Sequence, residues 1–281
     1  MKWRVCGLFL AGCAVIAFVN RKALLATFEP LSSPIDWCEE NYKVHPQIVE
    51  FWNSLSSFAL FIAAFVAPRF ICPDVHEHEP KLWMIWASMA CVGIGSVTFH
   101  ATLSVAGQIL DELPICMLSM FGVFMIRPLH KWNASLRETL FSGPVFVGTL
   151  FGSTLACLLF PVLSHVFCVS WMPILLYTYA SEYMSSNSLA KKHAKGMFTL
   201  TLTFFAGAFT CWLLDRFSCE RITSIFGYYP QLHAWWHVLI SFTFWCAVIT
   251  GIILRCEADG LKVRLKPSRF MVPHVVMAKV V

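Results

Sequence analysis

Two histidines, His233 and His237, stand four residues apart in the otherwise apolar run His233-Ala234-Trp235-Trp236-His237. On a helix this spacing puts both imidazoles on one face, about 6 Å apart, the arrangement by which two neighbouring turns grip one metal ion. Ser96 and His100 repeat the spacing in Ser96-Val97-Thr98-Phe99-His100, so the serine shares a face with a third imidazole. Three neutral imidazoles plus an open position make a catalytic zinc site rather than a closed structural one. Asp111, followed by Glu112, adds a carboxylate suited to holding and deprotonating a water at such a centre.

Taken singly, each residue has a plainer reading. His233, His237 and His100 can be hydrogen-bonded histidines at the end of a span. Ser96 can bond back to its own helix, and Asp111 can pair with a neighbouring helix. What argues for a joint role is where the rest of the chain would put them.

With 58% hydrophobic and 13% charged residues, against about 25% charged in a soluble domain, the chain holds more apolar surface than one soluble core of this length can hide. The 25 Phe and 11 Trp suit lipid-facing surfaces and interfacial belts. A net charge of +5 does not mark a nucleic-acid binder, because the basic residues fall in short connecting segments rather than on one face. Spanning helices need about 20 apolar residues and are expected near 47–67, 82–101, 108–126, 140–160, 163–181, 197–214 and 231–254, with Pro161 dividing the fourth from the fifth. Ahead of them Lys2 and Arg4 precede an apolar run from Val5 to Val19, a signal-peptide-like or signal-anchor leader. Small residues near Ala23 and Ala26 permit cleavage, and the run also suits retention. The expected fold is an all-α membrane protein, a seven-transmembrane helix bundle over 31–260, with a leader over 1–30 and a cytosolic C-terminal tail over 261–281.

Lys and Arg set the orientation. Arg69 and Lys81, Arg127, Lys131 and Arg137, and Lys191, Lys192 and Lys195 fall on the same side as the basic tail. The opposite side, from Ser32 onward, holds only Lys43, Arg216 and Arg221. The segment before the first span is therefore lumenal and the C-terminus cytosolic. In that frame His100, Asp111, Glu112, His233 and His237 all lie at the lumenal ends of spans two, three and seven, with Ser96 one turn before His100. Ionisable groups are costly there and mark function by default, so five of them at one depth point to an intramembrane zinc site.

A second polar cluster precedes the first span: Asp36-Trp37-Cys38-Glu39-Glu40-Asn41-Tyr42, then Glu50. Its hard oxygen donors suit calcium rather than zinc, but the spacing is no EF-hand, and the residues alone favour a solvated acidic turn. His76-Glu77-His78-Glu79 matches no compact zinc spacing and reads as a solvated loop. Most of the 12 cysteines lie in apolar stretches, where a thiol is a small hydrophobe.

The segments Asp36–Tyr42, Glu50–Ser54, Gly95–Ser104, Gly107–Glu112, Asp215–Cys219 and His233–His237, in this order over about residues 33–275, resemble the alkaline ceramidase family of seven-span enzymes. The resemblance implies a zinc-dependent intramembrane amidohydrolase that cleaves the N-acyl amide of ceramide, a membrane lipid, to a sphingoid base and a free fatty acid. It implies His100, His233 and His237 as zinc ligands and Ser96 and Asp111 as the catalytic pair. It further implies a lumenal calcium site of Asp36, the Trp37 carbonyl, Glu39, Asn41 and Glu50, in place of the solvated turn, and a Cys38–Cys219 disulfide on the oxidising side. The membrane would be that of the endoplasmic reticulum or Golgi. The leader is longer than usual for the family. One rival is a seven-span lipid receptor of the adiponectin-receptor type, which resembles this family in its intramembrane zinc but has the opposite topology; the other is a structural or transport bundle in which the polar cluster stabilises packing.

The sequence carries its own topology probe. Asn133-Ala134-Ser135 is a glycosylation sequon placed on the cytosolic side beside Lys131 and Arg137. It is expected to stay unmodified in cells, whereas a sequon engineered near Lys43 is expected to gain a glycosidase-sensitive mass shift. Glycan on native Asn133 would invert the orientation and favour the receptor-like rival.

Overall fold

The computed structural model describes residues 2–71, 73–78, 81–127, 143–261, 263–266 and 274–277. Its helices are α1 (Lys2–Val19), α2 (Arg21–Ala26), α3 (Phe51–Val66), α4 (Pro73–His78), α5 (Lys81–Thr102), α6 (Val105–Ile126), α7 (Gly143–Leu159), α8 (Val162–Ser185), α9 (Ser188–Phe226) and α10 (Leu232–Ala258). Among the described residues, six helical stretches are long and apolar enough to cross a membrane: Phe51–Phe70, Leu82–Thr102, Val105–Ile126, Val162–Ser185, Ser188–Phe226 and Leu232–Ala258. That is the pattern of a multi-pass membrane protein. The expected fourth span corresponds to α7, whose described apolar stretch, Val147–Leu159, is shorter. Pro161 does separate it from the next helix, standing at the N-cap of α8. The sequon at Asn133 lies outside the described residues.

Some segments add detail to the sequence expectation and others differ from it. The leader is a helix whose Phe9 ring packs over Gly152 of α7. The stretch around His76 is helical rather than a loop: His76 is buried, its ring stacked on Trp83 at 4.6 Å. Arg216 and Arg221 belong to α9 instead of a loop, the helix being broken by non-helical backbone at Ser218. The C-terminal tail is no free extension, since β1 (Val263–Lys266) and β2 (His274–Met277) form an antiparallel hairpin. Val263 and Val275 bury themselves with Ile71, Val75 and Leu82 at one end of the bundle. Alternation of Val and Leu with charged residues in Val263-Arg264-Leu265-Lys266 allows that pairing, but four-residue strands are too short to stand out in a chain this apolar.

The opposite end holds the polar residues, and α5 and α6 create it. A two-residue turn, Leu103-Ser104, joins them, with Ser104 capping α6 by accepting the Gly107 N–H at 3.1 Å. Ser96 and Asp111 each lie seven residues from that turn, so the antiparallel hairpin sets them side by side. The helices meet at Gly95, where a Cβ would overlap the Leu110 carbonyl and sit 2.7 Å from the Asp111 amide nitrogen.

The last carbonyls of α5 lack partners within the helix. The chain ahead of α3 supplies them: the amides of Leu31 and Ser33 donate to Thr102 and Leu103, and those of Val49 and Glu50 donate to Ala101 and His100, at 2.9–3.1 Å. A Cys38–Cys219 disulfide, with Cα atoms 5.6 Å apart, ties the same segment to α9.

Gly95→Ala is expected to cost about 1–3 kcal/mol, as overpacking does, and to lower turnover by separating Ser96 from Asp111. Gly196, whose Cβ position is open, provides the control. Thermal inactivation in detergent reads the difference, and wild-type behaviour of Gly95→Ala would refute the close-approach account.

Candidate metal centre

His100 ends α5, and His233 and His237 occupy the first two turns of α10. All three are buried, with ring centroids 4.7–4.9 Å apart. Among the described residues they form the one group of three or more His, Cys, Asp or Glu side chains whose ligand atoms lie within 4.8 Å of one another. The i, i+4 spacing delivers two imidazoles from α10, and the α5 terminus delivers the third across the helix interface.

The hydrogen bonds around the rings leave nitrogens to spare. His100 Nδ1 lies 2.5 Å from Glu50 Oε2, while its Nε2 is buried without a hydrogen-bond partner. His237 Nδ1 meets Ser56 Oγ at 2.8 Å, and its Nε2 faces Ser96 Oγ at 3.4 Å. His233 Nδ1 is buried and unpartnered, and its ring stacks against Trp37 with centroids 3.8 Å apart. Buried polar atoms are rarely left unpaired. Unpartnered nitrogens on His100 and His233, beside a His237 Nε2 engaged only at 3.4 Å by Ser96, match the donor set of a three-histidine metal site.

Ser96 is held by Ser57 Oγ at 3.0 Å and lies within hydrogen-bonding reach of Asp111. Asp111 is half-buried and lines a cavity within the bundle. That cavity begins at Trp37, Ser96, Asp111, His233 and His237 and continues between α6, α8 and α10 to Met125, Ile126 and Tyr179. From Asp111 to Ile126 the helical rise is about 22 Å, and the walls in between are mainly apolar, including Leu118, Leu175 and Phe244. This is a long, greasy slot with its polar chemistry at one end.

The acidic segment lies above the histidines. Both Glu39 oxygens accept backbone amides, Trp52 at 2.7 Å and Asn53 at 2.8 Å, so its carboxylate caps the N-terminus of α3. Burial raises the Glu39 carboxyl above its ordinary value even against those two donors. Glu50 accepts the Trp37 N–H at 3.1 Å and Asn53 Nδ2 at 3.1 Å besides facing His100. Asp36 sits 3.4 Å from Asn41 Nδ2, and Asn41 Oδ1 is buried without a partner. The five residues therefore occupy one neighbourhood, with Glu39 and Glu50 already engaged in positioning helices.

Sequence reasoning missed several participants. Asp215 accepts the Cys38 amide at 3.4 Å and the Tyr229 hydroxyl, joining α9 to the acidic segment and to the entry of α10. Its signal was a carboxylate beside an apolar span. Ser56 and Ser57, which orient His237 and Ser96, gave no signal, because serines are ordinary in membrane helices. The direct Glu50–His100 link could not be read from residues 50 positions apart.

A profile of the ceramidase family matches residues 29–276. The chain is 30% identical over 242 residues to alkaline ceramidase 1 of Homo sapiens, covering 84% of this chain and 89% of that protein. It is 30% identical over 240 residues to an alkaline ceramidase of Drosophila melanogaster, covering 82% and 80%. To alkaline ceramidase 3 of Mus musculus it is 26% identical over 234 residues, covering 80% and 85%. The matched region contains the acidic segment, the histidine cluster and the disulfide, and on that match the chain belongs to the ceramidase family.

Proposed function

We propose that this protein is a zinc-dependent amidohydrolase of the bilayer that cleaves ceramide to a sphingoid base and a fatty acid. The observation that carries the proposal is the convergence of three buried histidines at the polar end of a lipid-length cavity. We also take α7 as a seventh span, place the acidic segment on the lumenal side of an endoplasmic reticulum or Golgi membrane, and place the C-terminus in the cytosol. Family membership supports the ceramide reading over a lipid receptor.

A zinc ion held by His100, His233 and His237 would supply Lewis acidity toward a carbonyl oxygen and toward water. The remaining work falls to side chains. The cavity takes the acyl chain and leaves the amide beside Ser96 and Asp111. Asp111 holds a water, accepts one of its protons as the oxygen bonds to the carbonyl carbon, and delivers that proton to the departing nitrogen as the C–N bond breaks. The Ser96 hydroxyl donates to the carbonyl oxygen as charge develops there. Glu50 and Ser56, bonded to the Nδ1 atoms of His100 and His237, keep the opposite ring nitrogens directed inward.

For calcium the fit rests on hard oxygens. Asp36, Glu39 and Glu50 each keep acceptor capacity beyond the bonds described, since an ionised carboxylate offers about four lone-pair sites. The Asn41 Oδ1 without a partner faces the same need. A calcium ion bound by these groups and the Trp37 carbonyl would neutralise the crowded carboxylates and fix the segment over the histidines.

Purified protein is expected to carry about one zinc. His100→Ala, His233→Ala and His237→Ala should lose both metal and hydrolysis of a ceramide panel. Asp111→Asn and Ser96→Ala should keep the metal, Ser96→Ala losing on the order of 10²–10³ in kcat. Full activity after chelation to zinc-free protein would overturn the mechanism.

Calcium is expected to raise the melting temperature of wild-type protein and leave that of Asp36→Ala unchanged, with zinc content equal in both. A wild-type melting temperature indifferent to calcium would remove the ion from the acidic segment.

A further inference from the structure

Next to Asp111 lies a pair of side chains, one buried and one half-buried, with no part in the scheme above. Glu112 on α6 and His165 on α8 both line the cavity, and His165 Nδ1 is 2.7 Å from Glu112 Oε1. The other Glu112 oxygen accepts Gln108 Nε2 at 2.9 Å and Ser164 Oγ at 2.5 Å. Gln108 is itself fixed, its Oε1 accepting Ser33 Oγ at 2.9 Å. With Oε1 engaging Nδ1, Nε2 is the ring nitrogen left for a further partner.

That Nε2 has no hydrogen-bond partner among the described residues, although the ring is one wall of the cavity. The ring is locked in orientation by Trp212, stacked at 6.2 Å and 18°. Trp212 also contacts Trp37, whose ring lies on His233, so one aromatic wall runs from His165 to the histidine cluster. A ring nitrogen without a protein partner, on a side chain held from two sides at the cavity wall, is free to meet a polar group of a bound lipid.

Resting on the ceramide reading, the substrate chemistry follows. In ceramide the amide nitrogen sits on a carbon flanked by two hydroxyl-bearing carbons. An amide held beside Ser96 and Asp111 therefore carries its hydroxyls on neighbouring carbons into the same cavity that Glu112 and His165 line. We propose that His165 is a substrate-binding residue whose Nε2 hydrogen-bonds a hydroxyl of the sphingoid base, and that Glu112 is the positioning residue that orients its ring.

The test uses full-length protein in detergent and ceramides of one acyl chain, either complete or lacking the 1-hydroxyl or the 3-hydroxyl of the base. Wild type is expected to favour the complete lipid over one of the two deoxy forms by about 10- to 100-fold in kcat/KM, the cost of leaving the ring nitrogen unpaired, and that arm identifies the hydroxyl. His165→Phe keeps the stack on Trp212 and removes both nitrogens. It should raise KM for the complete lipid about tenfold, leave the deoxy substrate unchanged and so abolish the preference, with metal content intact. His165→Gln, which retains a hydrogen-bonding side chain, should restore part of the preference, and Glu112→Gln should lower it without abolishing it. A folded, metal-loaded His165→Phe that keeps the wild-type preference would overturn the assignment. Thermal shifts with the free base and its deoxy forms measure recognition apart from turnover. Wild type that discriminates in these shifts yet hydrolyses no ceramide would support the hydroxyl site and overturn the ceramidase reading instead. Equal shifts for all bases with wild type would overturn the hydroxyl site itself.

Discussion

A carboxylate closed off from solvent must find every partner inside the protein, and Glu50 finds its partners on three separate parts of the chain. Its oxygens meet the Trp37 amide in the segment before α3, Asn53 within α3, and His100 at the end of α5. Leaving such a group unpaired would cost several kcal/mol, so the three parts are held in one arrangement or the site does not form. The backbone reinforces it: the Glu50 and Val49 amides satisfy the His100 and Ala101 carbonyls left open by the end of α5. The same constraint thus positions the acidic segment, closes a helix terminus and orients a candidate metal ligand.

From that clasp the polarity of the bundle follows. Hydroxyls, imidazoles and carboxylates gather at the end where α5 turns into α6 and α10 begins, and each orients another. Ser57 supports Ser96, Ser56 supports His237, and Asp215 ties Cys38 and Tyr229 together. The other end is an apolar core of Ile85, Trp86, Met125, Ile252 and Ile253, sealed by the C-terminal hairpin. In hydrocarbon, polar groups are tolerated where they satisfy one another inside the protein. A single polar layer meets that condition and leaves the length of the cavity for an apolar chain.

Much of this was legible because the membrane makes polar residues conspicuous. His100, Asp111, His233 and His237 stood out against apolar neighbours, and counting span ends placed them at one depth. The structure brings the three histidines together on that basis. Sequence was blind where the signal was ordinary or distant. Nothing marks Ser56 and Ser57 among the serines of α3, and nothing in two four-residue strands announces a hairpin. Nothing in the sequence marks His165, because its partner Glu112 lies 53 residues away. The break at Ser218 was equally silent, so Arg216 and Arg221 were expected in a loop when they ride on α9.

The candidate site draws its reactive groups from helices but its alignment from an irregular segment. Ser96, His100, Asp111, His233 and His237 sit on α5, α6 and α10, elements stiff enough to hold geometry to fractions of an ångström. The segment from Leu31 to Glu50 has no regular structure of its own. It is held by the terminal carbonyls of α5, by Asp215 and by the disulfide to α9. Each of these attachments bears on His100 or His233, through Glu50 in one case and through the Trp37 stack in the other. A cation bound in that segment would therefore act on the histidines by fixing their supports, without touching the reacting atoms. Calcium there would adjust how often the site is aligned, while the helices decide what it does when it is.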